Sequence, residues 1–232
     1  MKSYNNPLVS IIMNCYNGDK YLKTSVNSIL KQDYKNWELI FWDNKSTDKS
    51  KKIINSYKDK RIKYYRSNIF TSLYKARNLA ISKARGKYLC FLDVDDWWDK
   101  SKISSQINVL KKNKEIKFIY SNFYYYNENK KTKKKFSGNL LPEGKITQEL
   151  LNNYKIGILT VMIKKDLLKK RKFNNKFKII GDFDYFIKLS MKEKFLCVQK
   201  PLAYYRVHNN NFSKNSDIHS NEMNRWIIKN SK

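Results

Sequence analysis

Apolar segments alternate with helical patterns through the first half of this 232-residue chain. Four segments are predicted to be strands, at residues 8–13, 37–42, 62–66 and 88–92. The segments between them, at 21–31, 48–57 and 73–84, carry apolar residues at helical spacing. Strands that are apolar on both faces are typical of a parallel sheet covered by helices on both sides. We therefore predict an α/β fold with a mostly parallel sheet flanked by helices.

Polar side chains follow these strands at the points where they end. Asn17 follows the first strand, Asp43 follows the second, and Asp93, Asp95 and Asp96 follow the fourth. Right-handed crossovers bring the carboxyl ends of parallel strands to one edge of the sheet, where ligands bind in folds of this kind. The sequence therefore predicts a ligand site at this edge.

Three aspartates within four residues repel one another, and burying an unpaired carboxylate is costly. A hard divalent cation such as Mg²⁺ or Mn²⁺ resolves both problems, because these ions favour carboxylate oxygens. The alternative is that Asp96 or Asp99 caps the helix that follows. The position at the ligand edge favours a metal site that holds a phosphorylated ligand.

The second half of the chain is less regular, and it predicts a smaller mixed sheet. Predicted strands lie at 116–126, 156–163, 195–198 and 202–207, with 130–136 as the second arm of a hairpin. Predicted helices lie at 101–110, 148–152 and 165–170, and another begins within 179–186 and runs to about 192. From residue 217 the chain is polar, with one or two helical turns expected. No repeat or linker divides residues 1–232, so one domain is expected.

The chain carries a net charge of +29, from 49 Lys and Arg against 20 Asp and Glu. Such an excess attracts polyanions, phosphate-bearing ligands and anionic membranes. A nucleic-acid-binding module therefore stays open as an alternative. The lysines, however, are spread along the whole chain, which is typical of solvated surface residues. Cys15, Cys90 and Cys197 form no metal-binding or disulfide pattern, which favours reduced thiols and the cytoplasm. No apolar run approaches the roughly 18 residues of a membrane-spanning helix.

Six segments, in order, resemble the motifs of the inverting family 2 glycosyltransferases, which have a GT-A (Rossmann-like) fold. They are residues 9–17, 42–48, 76–80, 92–96, 181–184 and 205–208. The fourth has the Asp-x-Asp form, as Asp93-Val94-Asp95, and the last is Tyr-Arg-x-His. Two departures stand out: Asn14 and Cys15 replace a usual Pro-Thr, and Gly181 stands where Glu is common.

The resemblance implies roles for residues on the nucleotide side. Tyr16 would stack on uracil, with Asn17 beside it, and Asp43 would accept a hydrogen bond from the base. Arg77 would lie near the phosphates, because a guanidinium suits phosphate oxygens. Trp97 and Trp98 would either stack on sugar rings or pack in the core.

The resemblance also implies a metal and a general base. Asp95 would be the main metal ligand, with Asp93 on the metal or the ribose and Asp96 on a sugar hydroxyl or the metal. His208 would be a further ligand of the metal or the diphosphate. Asp182 would take the proton of the acceptor hydroxyl, with Asp184 as the competing candidate.

The expected activity is therefore transfer of a hexosyl or N-acetylhexosaminyl group, with inversion, from a UDP-sugar. The expected acceptor is a saccharide or lipid-linked sugar in surface polysaccharide synthesis, and Mn²⁺ or Mg²⁺ is the expected cofactor. Residues 1–115 would bind the donor, 116–210 would hold the acceptor and the base, and 211–232 would form a polar tail. We expect a cytoplasmic enzyme, open to peripheral contact with an anionic membrane at its inner face, and no nucleic-acid partner.

Overall fold

The computed structural model describes residues 6–230, and within them nine strands form one sheet. The order along the sheet is β3-β2-β1-β4-β8-β6-β9-β5, and β7 pairs with β6. The strands are β1 (Val9–Cys15), β2 (Trp37–Asp43), β3 (Ile62–Arg66), β4 (Tyr88–Phe91), β5 (Trp97–Trp98), β6 (Phe118–Asn127), β7 (Thr132–Lys135), β8 (Met162–Lys164) and β9 (Phe195–Val207). The helices are α1 (Asp19–Leu30), α2 (Ser50–Ser56), α3 (Leu73–Lys83), α4 (Lys102–Lys112), α5 (Thr147–Asn152), α6 (Lys165–Lys170), α7 (Gly181–Ser190) and α8 (Ser216–Asn230).

The strands β1 to β4 form the parallel part that the apolar segments predict. β1 lies between β2 and β4 and runs parallel to both. All residues of these three strands are buried, because helices cover both faces of the sheet. The α1, α2 and α4 helices pack on one face, and α3 and α5 to α8 pack on the other. The predicted α/β fold is confirmed, and the mixed part continues from it through β8, which pairs antiparallel with β4.

The second half differs from the prediction in two strands. Residues 156–163 were predicted to be one strand, which is wrong. The carbonyl of Gly157 accepts hydrogen bonds from both the amide and the hydroxyl of Thr160, so Ile158–Thr160 form a 3₁₀ turn before β8 begins. In contrast, 195–198 and 202–207 are one strand. Pro201 between them pairs with Asn122 where the register of β6 and β9 shifts, and this irregularity accommodates a residue without an amide proton.

The chain after residue 216 forms a longer helix than the one or two turns predicted. The α8 helix has 15 residues, and Glu222 and Trp226 on it are buried. No helix among residues 6–230 combines the length and the apolar character that crossing a bilayer requires. Residues 1–5 and 231–232, at the ends of the predicted domain, lie outside the described residues.

Candidate active site

A cleft of about 850 Å³ opens at the carboxyl ends of β1 and β4. Its lining includes Asn14 and Tyr16 at the end of β1, Arg77 of α3 and the loop Asp93–Asp96, and we call this part the donor end after its expected role. Asp182, near the start of α7, also lines the cleft, and we call the part around it the base end. The predicted ligand edge of the sheet is therefore a cavity to which both halves of the chain contribute.

Arg77 neutralises the first aspartate of the loop. Its guanidinium is 2% exposed and donates to Oδ1 of Asp93 at 3.0 Å. The rings of Tyr74, Phe91 and Phe173 lie within 6 Å of the guanidinium carbon, at 5.3, 5.9 and 5.8 Å. Arg77 is thus a fixed positive charge at the cleft, where it suits phosphate oxygens.

Asp95 faces His208 across the loop, with 3.0 Å between Oδ2 and Nε2. The Nδ1 atom of His208 accepts the amide proton of Asn210 at 3.2 Å, so Nε2 carries the ring proton and donates it to Asp95. Burial raises the pKa of the Asp95 carboxyl, and repulsion from Asp93 adds to the effect. The structure therefore places Asp95 against His208 and near Asp93, whereas His208 does not line the cleft, and their role as metal ligands stays a prediction.

Asp96 belongs to the lining of the cleft but is almost fully buried. Its Oδ1 accepts the backbone amide of Arg206 at 2.8 Å, and the Arg206 side chain donates to the carbonyl of Asp95. Burial, followed by repulsion from Asp95, raises the pKa of the Asp96 carboxyl well above its ordinary value. The strand β9 thus fixes the shape of the aspartate loop from below.

These residues supply part of a ligand set for a divalent ion. Within residues 6–230, no three side chains of His, Cys, Asp and Glu form a ready-made ligand cage. Mg²⁺, however, binds through one or two carboxylates and completes its shell with water and substrate phosphates. Burial and then repulsion from Asp93 raise the pKa of Asp95, and a bound cation would oppose both effects. The donor set fits an ion shared with a diphosphate, and His208 would have to release its Nε2 proton to join it.

Asp182 is held by uncharged hydrogen-bond donors. Its Oδ1 accepts the amide proton of Phe183 at 3.0 Å and lies 3.0 Å from the hydroxyl of Tyr74. Its Oδ2 accepts no hydrogen bond from the described residues. Burial raises the pKa of the Asp182 carboxyl above 3.8, although the charge of Arg77 opposes the shift. A carboxylate of this kind has one oxygen available and is more basic than usual, as a general base requires.

Asp184, the competing base candidate, does not line the cleft. Its Oδ1 is bound by the ammonium of Lys188 and by the indole nitrogen of Trp226, and the residue is 5% exposed.

Close packing against Tyr74 explains why Gly181, rather than a larger residue, precedes Asp182 in this chain. A Cβ at Gly181 would lie 2.5 Å from the ring of Tyr74, which is itself fully enclosed.

Two nucleotide-side predictions fall on residues that do not line the cleft. Asp43 is fully buried, and its two oxygens accept the amide of Ser46 at 2.7 Å and the hydroxyl of Tyr64 at 2.8 Å. Asn17 has a positive φ of 51° and accepts the amide of Thr47 at 2.8 Å. Both side chains fix the loops after β1 and β2. Their contacts with a nucleotide stay predictions.

The aromatic residues near the aspartate loop have different surroundings. Tyr16 is 53% exposed at the rim of the cleft, with its ring centroid 4.6 Å from that of Phe70. Trp98 is a core residue whose indole donates to the carbonyl of Leu159. Trp97 stacks on Tyr204 at 5.0 Å, outside the cleft. Only Tyr16 of these is placed to contact a donor in the cleft.

Sequence reasoning missed three residues of the site. The amide of Asn14 is buried at the cleft, and neither of its polar atoms has a hydrogen-bond partner among residues 6–230. Tyr74 contacts Asp182, and Glu222 of α8 accepts the backbone amide of Lys178, four residues before Asp182. The departure of Asn14 from the usual Pro was a signal for the first. Spacing on one helical face, at 219, 222, 223 and 226, was a signal for α8.

The similarity of this chain to known proteins identifies a family and a fold. A family model described as "Glycosyl transferase family 2" matches residues 10–182. The chain is 33% identical over 217 residues to the UDP-Glc:alpha-D-GlcNAc-diphosphoundecaprenol beta-1,3-glucosyltransferase WfgD of Escherichia coli, with 89% of this chain and 82% of the relative covered.

Two solved structures share the fold. One is S. aureus TarS in complex with UDP-GlcNAc, with a TM-score of 0.72, 20% identity and coverage of 89% of this chain. The other is the mannosyltransferase PcManGT of Pyrobaculum calidifontis in complex with GDP-Man and Mn²⁺, with a TM-score of 0.67, 14% identity and 90% coverage. This chain spans 60% and 59% of the lengths of those two chains.

Proposed function

The chain belongs to glycosyl transferase family 2, and from this membership we propose that it transfers a sugar, with inversion, from a UDP-sugar to a saccharide or lipid-linked acceptor in surface glycan synthesis. It is a glycosyltransferase with a GT-A fold, which decides against the non-catalytic nucleic-acid-binding alternative. The observation that carries the proposal is the cleft itself. Its lining combines Asp93 and Asp95, which suit a divalent ion, with Asp182, a carboxylate of raised pKa, and this combination supports the proposal.

A UDP-sugar fits the donor end of the cleft. Tyr16 presents an exposed ring for a base, and Arg77 presents a fixed guanidinium for the diphosphate. The unpartnered amide of Asn14 can both donate to and accept from donor hydroxyls. By name, the relative WfgD uses UDP-Glc, and the TarS structure holds UDP-GlcNAc. These observations support a UDP-hexose or a UDP-N-acetylhexosamine.

An apolar rim supports a lipid-linked acceptor. Leu73, Tyr125, Leu151 and Phe212 line the cleft and are 36%, 39%, 45% and 56% exposed. Exposed apolar residues that cluster at a cleft mark an interaction site. WfgD, by its name, acts on a sugar linked through a diphosphate to undecaprenol. The net charge of +29 favours a peripheral position at the anionic inner face of the membrane, where such an acceptor resides.

Asp95, Asp93 and His208 would hold Mn²⁺ or Mg²⁺. A bound ion neutralises the negative charge that develops on the diphosphate as it leaves. Asp96 and Arg206 keep the loop in the shape that presents Asp95. The PcManGT structure, which shares the fold, contains Mn²⁺.

Asp182 would act at the acceptor. Its available Oδ2 takes the proton of the acceptor hydroxyl as that oxygen bonds to the anomeric carbon. The bond between the anomeric carbon and the diphosphate oxygen breaks on the opposite face, so the configuration inverts. Arg77 binds the departing phosphate oxygens from its fixed position.

The test is a donor panel. Purified protein is mixed with UDP-glucose, UDP-galactose, UDP-N-acetylglucosamine and GDP-mannose, each with Mn²⁺, with Mg²⁺ or with a chelator. We expect thermal stabilisation by one UDP-sugar in the presence of metal, and transfer of its sugar to a polyprenyl diphosphate-linked saccharide. Stabilisation by none of the donors would overturn the proposal. Preference for GDP-mannose would overturn the UDP assignment alone.

A further inference from the structure

The α8 helix lies outside the part of the chain that the family model matches, yet it lies against the catalytic segment. His219 and Met223 of this helix line the cleft. Trp226, one turn further on, packs against Phe183 with ring centroids 5.0 Å apart. These residues and Glu222 share one face of α8, because their spacing is three, four and seven residues.

Glu222 binds the backbone just before α7. Its Oε1 accepts the amide proton of Lys178 at 2.6 Å, and its Oε2 accepts those of Ile179 and Ile180 at 3.0 and 3.1 Å. The residue is 7% exposed, and no cation among residues 6–230 forms an ion pair with it. Three consecutive amides thus carry the whole stabilisation of a buried carboxylate, which ties this segment firmly to α8.

The same segment leads to Asp182 through the peptide group that joins Ile179 to Ile180. The amide of Ile180 binds Glu222 at 3.1 Å, and the carbonyl of Ile179 accepts the hydroxyl proton of Tyr74 at 2.5 Å, a proton that it shares with Oδ1 of Asp182. The hydroxyl of Tyr74 lies 3.0 Å from Oδ1 of Asp182. Glu222 therefore fixes a peptide whose other side orients the side chain that contacts the base. Hydrogen bonds in such a chain strengthen one another.

We propose that Glu222 is a positioning residue for Asp182: by holding the amides of residues 178–180, it sets the place and direction of the general base. This inference rests on the proposed function. It assigns to α8, beyond the matched family region, a part in catalysis rather than only in packing. Glu222 does not touch the cleft, so its effect on transfer must pass through the catalytic segment.

The variant Glu222→Gln keeps the size of the side chain but not its accepting capacity. A carboxylate offers two accepting oxygens, whereas an amide offers one and turns a donor toward the remaining backbone N–H. The segment must then shift, and small displacements of a catalytic group have large kinetic effects. Asp217→Asn is the matched control, because it removes the same charge from an exposed position on the same helix.

We expect Glu222→Gln to lower kcat for transfer about 10- to 100-fold, with the KM for the donor unchanged. In the double variant Asp182→Asn/Glu222→Gln, the rate should fall no further than in Asp182→Asn alone. Both changes impair the same function, proton transfer to Asp182. Hydrogen exchange should speed up at residues 178–184 and stay as in the wild type elsewhere. Asp217→Asn should match the wild type in all three measurements.

Two results would overturn the positioning role. One is unchanged exchange at residues 178–184 in Glu222→Gln, whatever the activity assay shows. The other is a full multiplicative loss in the double variant, which would show that Glu222 acts independently of Asp182. Failure of the proposed function has a different signature, since the wild type would then bind no nucleotide sugar.

Discussion

The carboxylates of Asp93, Asp95 and Asp182, at the two ends of the cleft, are all partly buried, but different partners satisfy them. At the donor end, Asp93 pairs with Arg77, and Asp95 faces both His208 and its neighbouring aspartate. At the other end, Asp182 stands without another carboxylate and is bound by a hydroxyl and an amide. A bound cation relieves the repulsion between crowded carboxylates, whereas a single carboxylate with an available oxygen can accept a proton. The difference supports the proposed division of roles, with metal binding at Asp95 and proton transfer at Asp182.

Among the variants that test this difference between the two ends, Asp182→Asn should have the largest effect on transfer. An amide cannot accept the acceptor proton, so we expect kcat to fall about 1,000-fold. Donor-induced thermal stabilisation should stay as in the wild type, because the donor end is unchanged. Steady-state transfer kinetics and a thermal shift assay measure the two outcomes.

The control is Asp184→Asn, which removes the competing carboxylate outside the cleft. It removes the charge that pairs with the ammonium of Lys188, while the amide oxygen can still accept from Trp226, so it should lower the melting temperature and leave most of the activity. If Asp184→Asn abolishes transfer and Asp182→Asn does not, the base has been assigned to the wrong residue.

Asp95→Asn should affect the donor end, with a loss of about 100-fold in kcat/KM. The variant should also lose the stimulation by Mn²⁺ or Mg²⁺, which distinguishes it from Asp182→Asn. The pKa of Asp95 is raised in the folded state, so its contribution to stability is lost as the pH rises through that pKa. The metal-free variant should therefore be no less stable at neutral pH than the metal-free wild type. A variant that keeps full metal stimulation would show that the ion binds elsewhere.

The sequence predicts which strands end at the donor end of the cleft, because this information is local. The strands before Asp93 and Asp43 have continuous apolar patterns, and chain order alone places their ends on one edge. What the pattern does not contain is side-chain direction. Asp43 reaches the predicted edge, but its carboxylate turns to Ser46 and Tyr64 in its own loop and a neighbouring strand.

The base end could be predicted only in part, because its supports come from distant parts of the chain. The motif around Asp182 identifies the residue, but Tyr74 contacts it from 108 positions away. Glu222 reaches Ile180 from 42 positions away, on a helix whose polar sequence hides a buried stripe. No local pattern predicts such pairings, since they depend on how α3 and α8 pack against α7.

Tyr74→Phe should have the smallest effect on kcat, and it tests how the surroundings of Asp182 set its basicity. The hydroxyl of Tyr74 stabilises the ionised form of Asp182, so its removal should raise the pKa of that carboxyl further. The base is active only when ionised, so the acid limb of the kcat profile should move to higher pH. At alkaline pH, where Asp182 is ionised in both proteins, kcat should fall less than about 10-fold. The pH profile of kcat measures this shift.

Stability separates this electrostatic effect from damage to the fold. Tyr74→Phe also leaves the carbonyl of Ile179 without its hydroxyl donor, which should cost about 1–3 kcal/mol of unfolding free energy. Tyr185→Phe is the matched control, because its buried hydroxyl has no partner among residues 6–230 and lies outside the cleft. That variant should keep both its stability and its acid limb. If Tyr74→Phe loses stability but its acid limb stays in place, Tyr74 supports the fold without tuning the base, and the two ends of the cleft differ in position only.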